Sequence, residues 1–249
     1  MIRTLDTINR NMNVLQKKLE NTTANISNAN TPGYKFQNIV QSTLESYEMV
    51  NYSGGVSLDR RQELGDFTFG NQIDQVYRNF EQGFLNQTDR TTDFAIIGEG
   101  FFAIELDGGL AFTRNGNFTI NEDHMLTTME GYPVMGVDGF GELSYIFIDD
   151  SNFSIDNEGN IIGEDIKLFI ADFDDYQNLE SMGDTIFISD NYVAIDGEIR
   201  QGYLESSNVK MVDEIVKLIE ISREFESNQK ILHSTDETLR KAVNEIGKV

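Results

Sequence analysis

The chain has 249 residues, with 19 basic and 42 acidic side chains, a formal net charge of −23 and no cysteine. An acidic excess of this size argues against a duplex-binding surface or an anionic membrane as partner, since both need clustered Lys and Arg. The missing cysteine removes disulfides, thiolate metal sites and Cys nucleophiles. Hydrophobic residues make up 39% and aromatic residues 10%, enough apolar material for a core, and no run of about 18 apolar residues marks a membrane span.

Residues 1–40 carry a net charge of +3. Leu5, Ile8, Met12, Leu15, Leu19, Thr22, Ile26 and Ala29 recur at alternating steps of three and four with one polar break, the heptad seam of a coiled-coil helix. Pro32-Gly33 stops it. Asp6, Asn9, Arg10, Asn11 and Asn13 interrupt any apolar signal region, so export, if it occurs, is expected without a cleaved signal. Residues 41–75, of mixed polarity and with Ser53-Gly54-Gly55, read as an extended linker.

The middle, 76–205, reads as a β-rich domain. Short β-branched and aromatic runs fall at Phe94–Ile97, Phe101–Leu106, Phe118–Ile120, Tyr145–Ile148, Ile166–Ile170 and Thr185–Ile188. Turn pieces separate them at Asp107-Gly108-Gly109, Asn115-Gly116, Asp138-Gly139, Glu158-Gly159 and Asp196-Gly197. Asn115-Gly116 predicts a type I′ hairpin joining strands on either side. Short strands without intervening helices argue for an antiparallel domain. The acid is concentrated in the central part of the chain, with −25 over residues 41–208.

Residues 206–249 read as a second long helix, with N-cap types at Ser206, Ser207 and Asn208, Asp213 and Glu214 near its start, and Arg240, Lys241 and Lys248 near its end. Met211, Leu218, Phe225, Leu232, Leu239 and Ile246 are apolar at steps of seven, while the second seam position reads Ile215, Ser222, Gln229, Asp236 and Val243. Polar seam residues set register and partner choice at a cost in stability. A helix of roughly 38 residues spans about 57 Å, too long for one element of a compact domain. The expected fold is α+β, with terminal helices pairing as a coiled coil and a central antiparallel β-rich domain. The alternative packs an antiparallel helical pair on its own β-domain.

Catalytic and metal chemistry find little support. Gly98-Glu99-Gly100-Phe101-Phe102-Ala103 matches a relaxed dinucleotide pattern, but strand-like residues follow where a helix should hold the pyrophosphate, so a bend between strands is expected. Asp172, Asp174 and Asp175, and Asp149 with Asp150, lack calcium-loop spacing and read as solvated turns. His124 and His233, the only two histidines, read as structural or surface residues, and the N-x-[ST] triplets at Asn25, Asn51, Asn86, Asn117 and Asn152 reflect an Asn-rich chain. No enzyme activity, cofactor or metal is expected.

Ala24–Lys35, Ala-Asn-Ile-Ser-Asn-Ala-Asn-Thr-Pro-Gly-Tyr-Lys, is richer in Asn than a helix end requires, and Asn25 and Asn28 lie three apart, where both amides could bridge to a partner. This segment resembles the N-terminal signature of the flagellar rod, hook and hook-associated protein family, on Asn25, Asn28, Thr31, Gly33, Tyr34 and Lys35. Gln201–Val209, with Gly202, Leu204, Glu205 and Asn208, is similar to that family's C-terminal signature, followed by Glu214, Ile219, Arg223, Phe225, Glu226, Asn228 and Asp236. Asp93–Phe102 and Thr113–Phe118 resemble the β-domain of its rod and hook members.

The resemblance implies a structural basal-body rod subunit of the proximal- or distal-rod type. It implies helical polymerisation around a central channel through paired terminal helices, other rod and hook subunits as neighbours, and export by the flagellar type III apparatus. Assembly contacts are then expected from the seam residues Leu5, Ile8, Met12, Leu15, Leu19, Met211, Leu218, Ser222, Phe225, Gln229, Leu232, Asp236 and Leu239, and from Arg223 and the two signatures. The competing readings are a secreted β-domain enzyme working through Asp172, Asp174 and Asp175, or an adhesin with coiled-coil oligomerisation helices.

Overall fold

A computed structural model describes residues 2–53, 60–149 and 153–246. The turn glycines Gly54 and Gly55, the acid Asp150, Asn152, Lys248 and the side chain of Ile246 lie outside the described residues. The chain is α+β and divides into two compact units, one made of residues 1–24, 37–77 and 212–249, the other of residues 25–36 and 78–211.

The first unit contains most of α1 (Ile2–Ser27) and α2 (Met211–Lys241), which continues into a π-helical turn at Ala242–Ile246. Its strands are β1 (Gln37–Thr43), β2 (Ser46–Ser53), β3 (Arg60–Thr68) and β4 (Asn71–Arg78). The segment expected to be an extended linker is extended and paired. β1 lies beside β4, and β2 runs antiparallel to β3 from Ser46 opposite Thr68, with a bulge at Met49/Val50. Gly65, at φ +98°, sits opposite Met49 and takes a conformation that a side chain there would resist.

α1 buries Ile8, Val14, Leu15 and Thr22 and half-buries Leu5, Met12 and Leu19, so the apolar seam faces inward. Besides Ser222, the half-buried positions of α2 and the turn that follows it are Leu218, Ile221, Phe225, Asn228, Leu232, Thr235, Leu239 and Ala242, at strict steps of three and four, continuing the line of buried Glu214. The second seam set therefore lies one residue N-terminal of the one expected. Ser222 is half-buried with its hydroxyl on the Leu218 carbonyl, whereas Ile215, Gln229, Asp236 and Val243 are exposed. Asp236, a carboxylate, costs more to bury than the hydroxyl of Thr235, which favours this face over the helix's second half.

The second unit is built from strands. In chain order they are β5 (Leu85–Gln87), β6 (Phe94–Ile97), β7 (Phe101–Leu106), β8 (Gly109–Thr113), β9 (Phe118–Ile120), β10 (Leu126–Thr128), β11 (Met135–Asp138), β12 (Leu143–Tyr145), β13 (Ile166–Leu168) and β14 (Ile170–Asp172). Then come β15 (Glu180–Ser181), β16 (Ile186–Ile188), β17 (Val193–Ala194), β18 (Glu198–Gln201) and β19 (Tyr203–Glu205). The largest sheet has the order β15-β16-β8-β7-β14-β17, a smaller one β12-β11-β13, and β18 pairs β6 as β19 pairs β5.

β7 explains its own sequence. Phe102 and Ile104 point into one core with Phe94, Phe118, Leu126, Ile146 and Ile170, while Phe101 and Ala103 point into a second with Phe112, Phe173 and Phe187. A strand covered on both faces reads as a continuous apolar run rather than an alternating one. Its turn into β8 uses Asp107 and Gly108 at φ +51° and +80°, the positive values of a two-residue type I′ hairpin.

Three local expectations are corrected. Asn115-Gly116 does not close a hairpin, because β8 pairs β7 and β16 while β9 pairs β10. Neither Asn115 nor Gly116 has positive φ. Gly116 is required for another reason: a Cβ there would stand 1.8 Å from the Phe94 carbonyl oxygen. The second long helix begins at Met211, not beside Asn208, whose side chain is engaged elsewhere. And β14, with Asp172 at its end, is a separate strand from β13. Gly98 and Gly100 form a bend between β6 and β7, at φ +86° and +112°.

Candidate functional site

The two terminal signatures meet inside the second unit, around one carboxylate. Glu205 closes β19 and is 1% exposed. Its Oε1 accepts from Lys35 Nζ at 2.8 Å and from the Gly83 amide at 2.8 Å, and its Oε2 accepts from Arg114 Nε at 2.6 Å. Its backbone carbonyl accepts from the Gly33 amide at 2.8 Å. Lys35 and Arg114 are themselves 2% and 4% exposed. Two cations against one carboxylate would leave donors unmet, and backbone takes them up. Lys35 also donates to the carbonyls of Phe80 and Glu81, and Arg114 to those of Ile96, Gly98 and Gly100. Burial pulls the Lys35 ammonium below the ordinary lysine range, with Glu205 opposing that shift.

Around this centre each signature residue has a structural task. Gly33 has φ +71°, and a Cβ there would lie 2.3 Å from the Asn115 amide nitrogen, so only glycine lets the turn press against the Arg114–Asn115 backbone. Tyr34, 1% exposed, donates its hydroxyl to Asn25 Oδ1 at 3.0 Å, and Thr31 donates to Asn28 Oδ1 at 3.0 Å. Asn208 accepts from the Phe36 amide at 2.7 Å and donates to the carbonyls of Asn79 and Glu81 at 2.9 and 3.0 Å. Gly202, at φ +76°, links Thr88 and Asp93 by its carbonyl and amide, and Leu204 pairs with Asn86 across β5. Asn25 and Asn28, read as reaching for a partner, both engage their own chain.

Among the remaining candidates, Met211 and Arg223 are exposed on α2. The acidic group is absorbed locally: Asp172 accepts from the Tyr176 hydroxyl at 2.6 Å, and Asp175 caps the 3-10 turn Tyr176–Asn178. Among the described residues no group of three or more His, Asp or Glu stands together as a metal would need. His124 sits in its turn at φ +62° and His233 is exposed on α2. Arg114 is the residue that sequence reasoning missed. Its signal was a lone arginine between the apolar runs Ala111-Phe112 and Phe118-Thr119-Ile120 in an acid-rich stretch.

Nothing in this arrangement positions a nucleophile beside a base; the buried charges tie four backbone segments together. In the first unit, Lys18, Asn21 and Thr22 of α1 line a cavity of about 300 Å³ with Asn38 and Ile39 of β1 and Glu214, Lys217, Glu220, Ile221 and Glu224 of α2.

Comparison with known proteins matches these segments. Residues 5–35 match the family described as "Flagella basal body rod protein", residues 95–163 the "Flagellar hook protein FlgE/F/G D1 domain", and residues 200–245 the "Flagellar basal body rod FlgEFG protein C-terminal". The chain is 33% identical over 244 residues to the flagellar basal-body rod protein FlgF of Caulobacter vibrioides, covering 94% of each. It is 30% identical over 268 residues to the rod protein FlgG of Bacillus subtilis, covering 98% of this chain and 99% of that one. It is also 27% identical over 288 residues to the hook-basal body complex protein FlhO of Bacillus subtilis, covering the whole of both.

Proposed function

Because the chain belongs to the flagellar basal-body rod protein family, a structural and non-enzymatic family, we propose that this basal-body rod subunit polymerises helically through its terminal segments, residues 1–40 and 206–249, to build the hollow drive shaft. In this reading α1 and α2 pair as a coiled coil, other rod and hook subunits are the axial neighbours, and the flagellar type III apparatus exports the chain without signal cleavage.

One observation carries it: Glu205 binds the N-terminal signature to the C-terminal one, at the points from which α1 and α2 set out. Two more support it. The cavity lined by Lys18, Asn21 and Thr22 of α1 and by Glu214, Lys217, Glu220, Ile221 and Glu224 of α2 supports the pairing. Asn228 Nδ2 on the half-buried line of α2 has no hydrogen-bond partner among the described residues, and Gln229 and Asp236 are exposed on the same helix, so polar groups stand ready for a neighbouring subunit. A concentration series in size-exclusion chromatography, with electron microscopy of the large species, tests the proposal. Rod-like stacks or helical filaments are expected; a chain that stays monomeric or stops at a closed dimer refutes it.

A further inference from the structure

In the second unit, β12 is the edge strand of its sheet, and the chain from Leu143 to Ile148 alternates sharply. Ile146 and Ile148 are buried, while Leu143, Tyr145 and Phe147 are 40%, 38% and 48% exposed on the opposite face. At the tip of the β11–β12 turn Phe140 is 94% exposed. That tip is held rigidly: Asp138 Oδ1 accepts from the amides of Phe140 and Glu142, and the Asp138 amide donates to the Glu142 carbonyl. Four large apolar side chains on a preorganised edge are not surface noise, since exposed apolar residues ordinarily occur singly.

We propose that this stripe is a docking surface for a different protein, one that presents an apolar strand or pocket edged by Lys and Arg. Charge selects the partner. The stripe is rimmed by Asp138 and Glu142 on the turn, by Glu105, which accepts from the Tyr145 hydroxyl, and by Asp165 against Gly139. Among the described residues none of these four carboxylates has a cation within 4.0 Å. The same unit of a second copy fits poorly, because residues 25–36 and 78–211 hold seven basic and 26 acidic side chains, a net of −19, and the chain as a whole carries −23. Lys35, Arg90, Arg114, Lys167 and Arg200 of that set are each already within 4.0 Å of a carboxylate of their own chain. Anionic lipid is repelled on the same ground. The edge of β12 at Leu143–Tyr145 suits strand addition, while Phe147, whose stretch is bridged to Met125, extends the apolar face beside it and the aromatic knob at Phe140 serves as anchor.

The test uses the full chain, carrying a photoreactive benzoylphenylalanine at Phe140 or at Phe147, irradiated in the cells that make it. The linked peptide is then sequenced by mass spectrometry. The expected product joins a different protein through a peptide that carries Lys or Arg beside the link, with a yield that falls several-fold when extracts are irradiated at high salt. The same label at Ile162, 65% exposed on another turn, should not give that product. A link to a second copy of the chain, to lipid, to a peptide without basic residues, or to nothing overturns the proposal. Phe140→Ser, which removes no buried contact, should leave the melting temperature unchanged, so loss of the product on that background is not a folding failure. Incorporation of the labelled chain into rods is scored separately, so the docking result is readable whether or not rods form.

Discussion

Replacing Glu205 by Gln is the sharpest probe of the buried centre. The substitution keeps shape but puts an amide NH2 where an oxygen now faces either Arg114 Nε at 2.6 Å or Lys35 Nζ and the Gly83 amide at 2.8 Å. Donor then meets donor, and two cations stand buried with no countercharge. Breaking a buried ion pair by removing one partner costs about 3–5 kcal/mol. At about 2–4 °C per kcal/mol for a chain of this size, the melting temperature of the second unit should fall by roughly 6–20 °C. An apolar triple replacement of Lys35, Arg114 and Glu205 should not restore it, because the carbonyls of Phe80, Glu81, Ile96, Gly98 and Gly100 would lose their donors. Differential scanning calorimetry on dilute protein measures the shift. Lys17→Ala serves as control, since its pair with Glu20 is 59% and 48% exposed and screened by solvent. A Glu205→Gln midpoint no lower than that control's would refute the account of the knot as an ionic clasp.

Gly33→Ala should cost about 2–5 kcal/mol by urea titration, adding a left-handed-backbone penalty to the contact with Asn115, and an unchanged midpoint would remove the steric argument. Burial, reinforced by the hydrogen bond to Asp172, raises the Tyr176 hydroxyl above the ordinary tyrosine value of 10.0. The folded state therefore holds that proton more tightly, its contribution is complete below pH 10 and is lost as pH climbs above it. Tyr176→Phe should flatten the alkaline fall in stability, and identical pH curves for both proteins would count against the shift. Asn228→Leu should stabilise the unassembled chain by about 1 kcal/mol, by removing a buried amide without a partner, while weakening filament formation. Hydrogen exchange over α2 and light scattering report the two effects, and strengthened assembly would contradict the proposed role of that amide.

Much of the fold was legible because periodicity reports burial. Phe94–Ile97, Phe101–Leu106 and Phe118–Ile120 are strands at the residues expected, and the α1 seam faces inward. The exceptions share a cause: a residue's local preference was outbid by a distant contact. Asn115-Gly116 has ideal hairpin chemistry, yet the Gly116 carbonyl accepts from the Phe94 amide and the Asn115 amide donates to the Thr113 hydroxyl. Asn208 is a good helix cap, yet Asn79, Glu81 and Phe36 claim its amide. Pattern named the α2 seam but misplaced half of it by one residue, since Ile215 and Val243 invite burial at both ends while Gln229 and Asp236 resist it between them. The signatures located the knot without its chemistry, because Arg114 lies in neither of them.

The sequence separations inside the knot bear on when it can close. Glu205 stands 170 residues from Lys35 and 91 from Arg114. A chain delivered N-terminus first thus presents both cations long before their carboxylate, and until Glu205 arrives neither has its countercharge and Gly33 has no carbonyl to meet. Such distant closure is slow compared with forming the local β7–β8 hairpin. The hairpins can therefore order early, but the junction between the two signatures forms only once residue 205 has been made. A growing chain therefore stays unlocked for most of its length and acquires its final joint last.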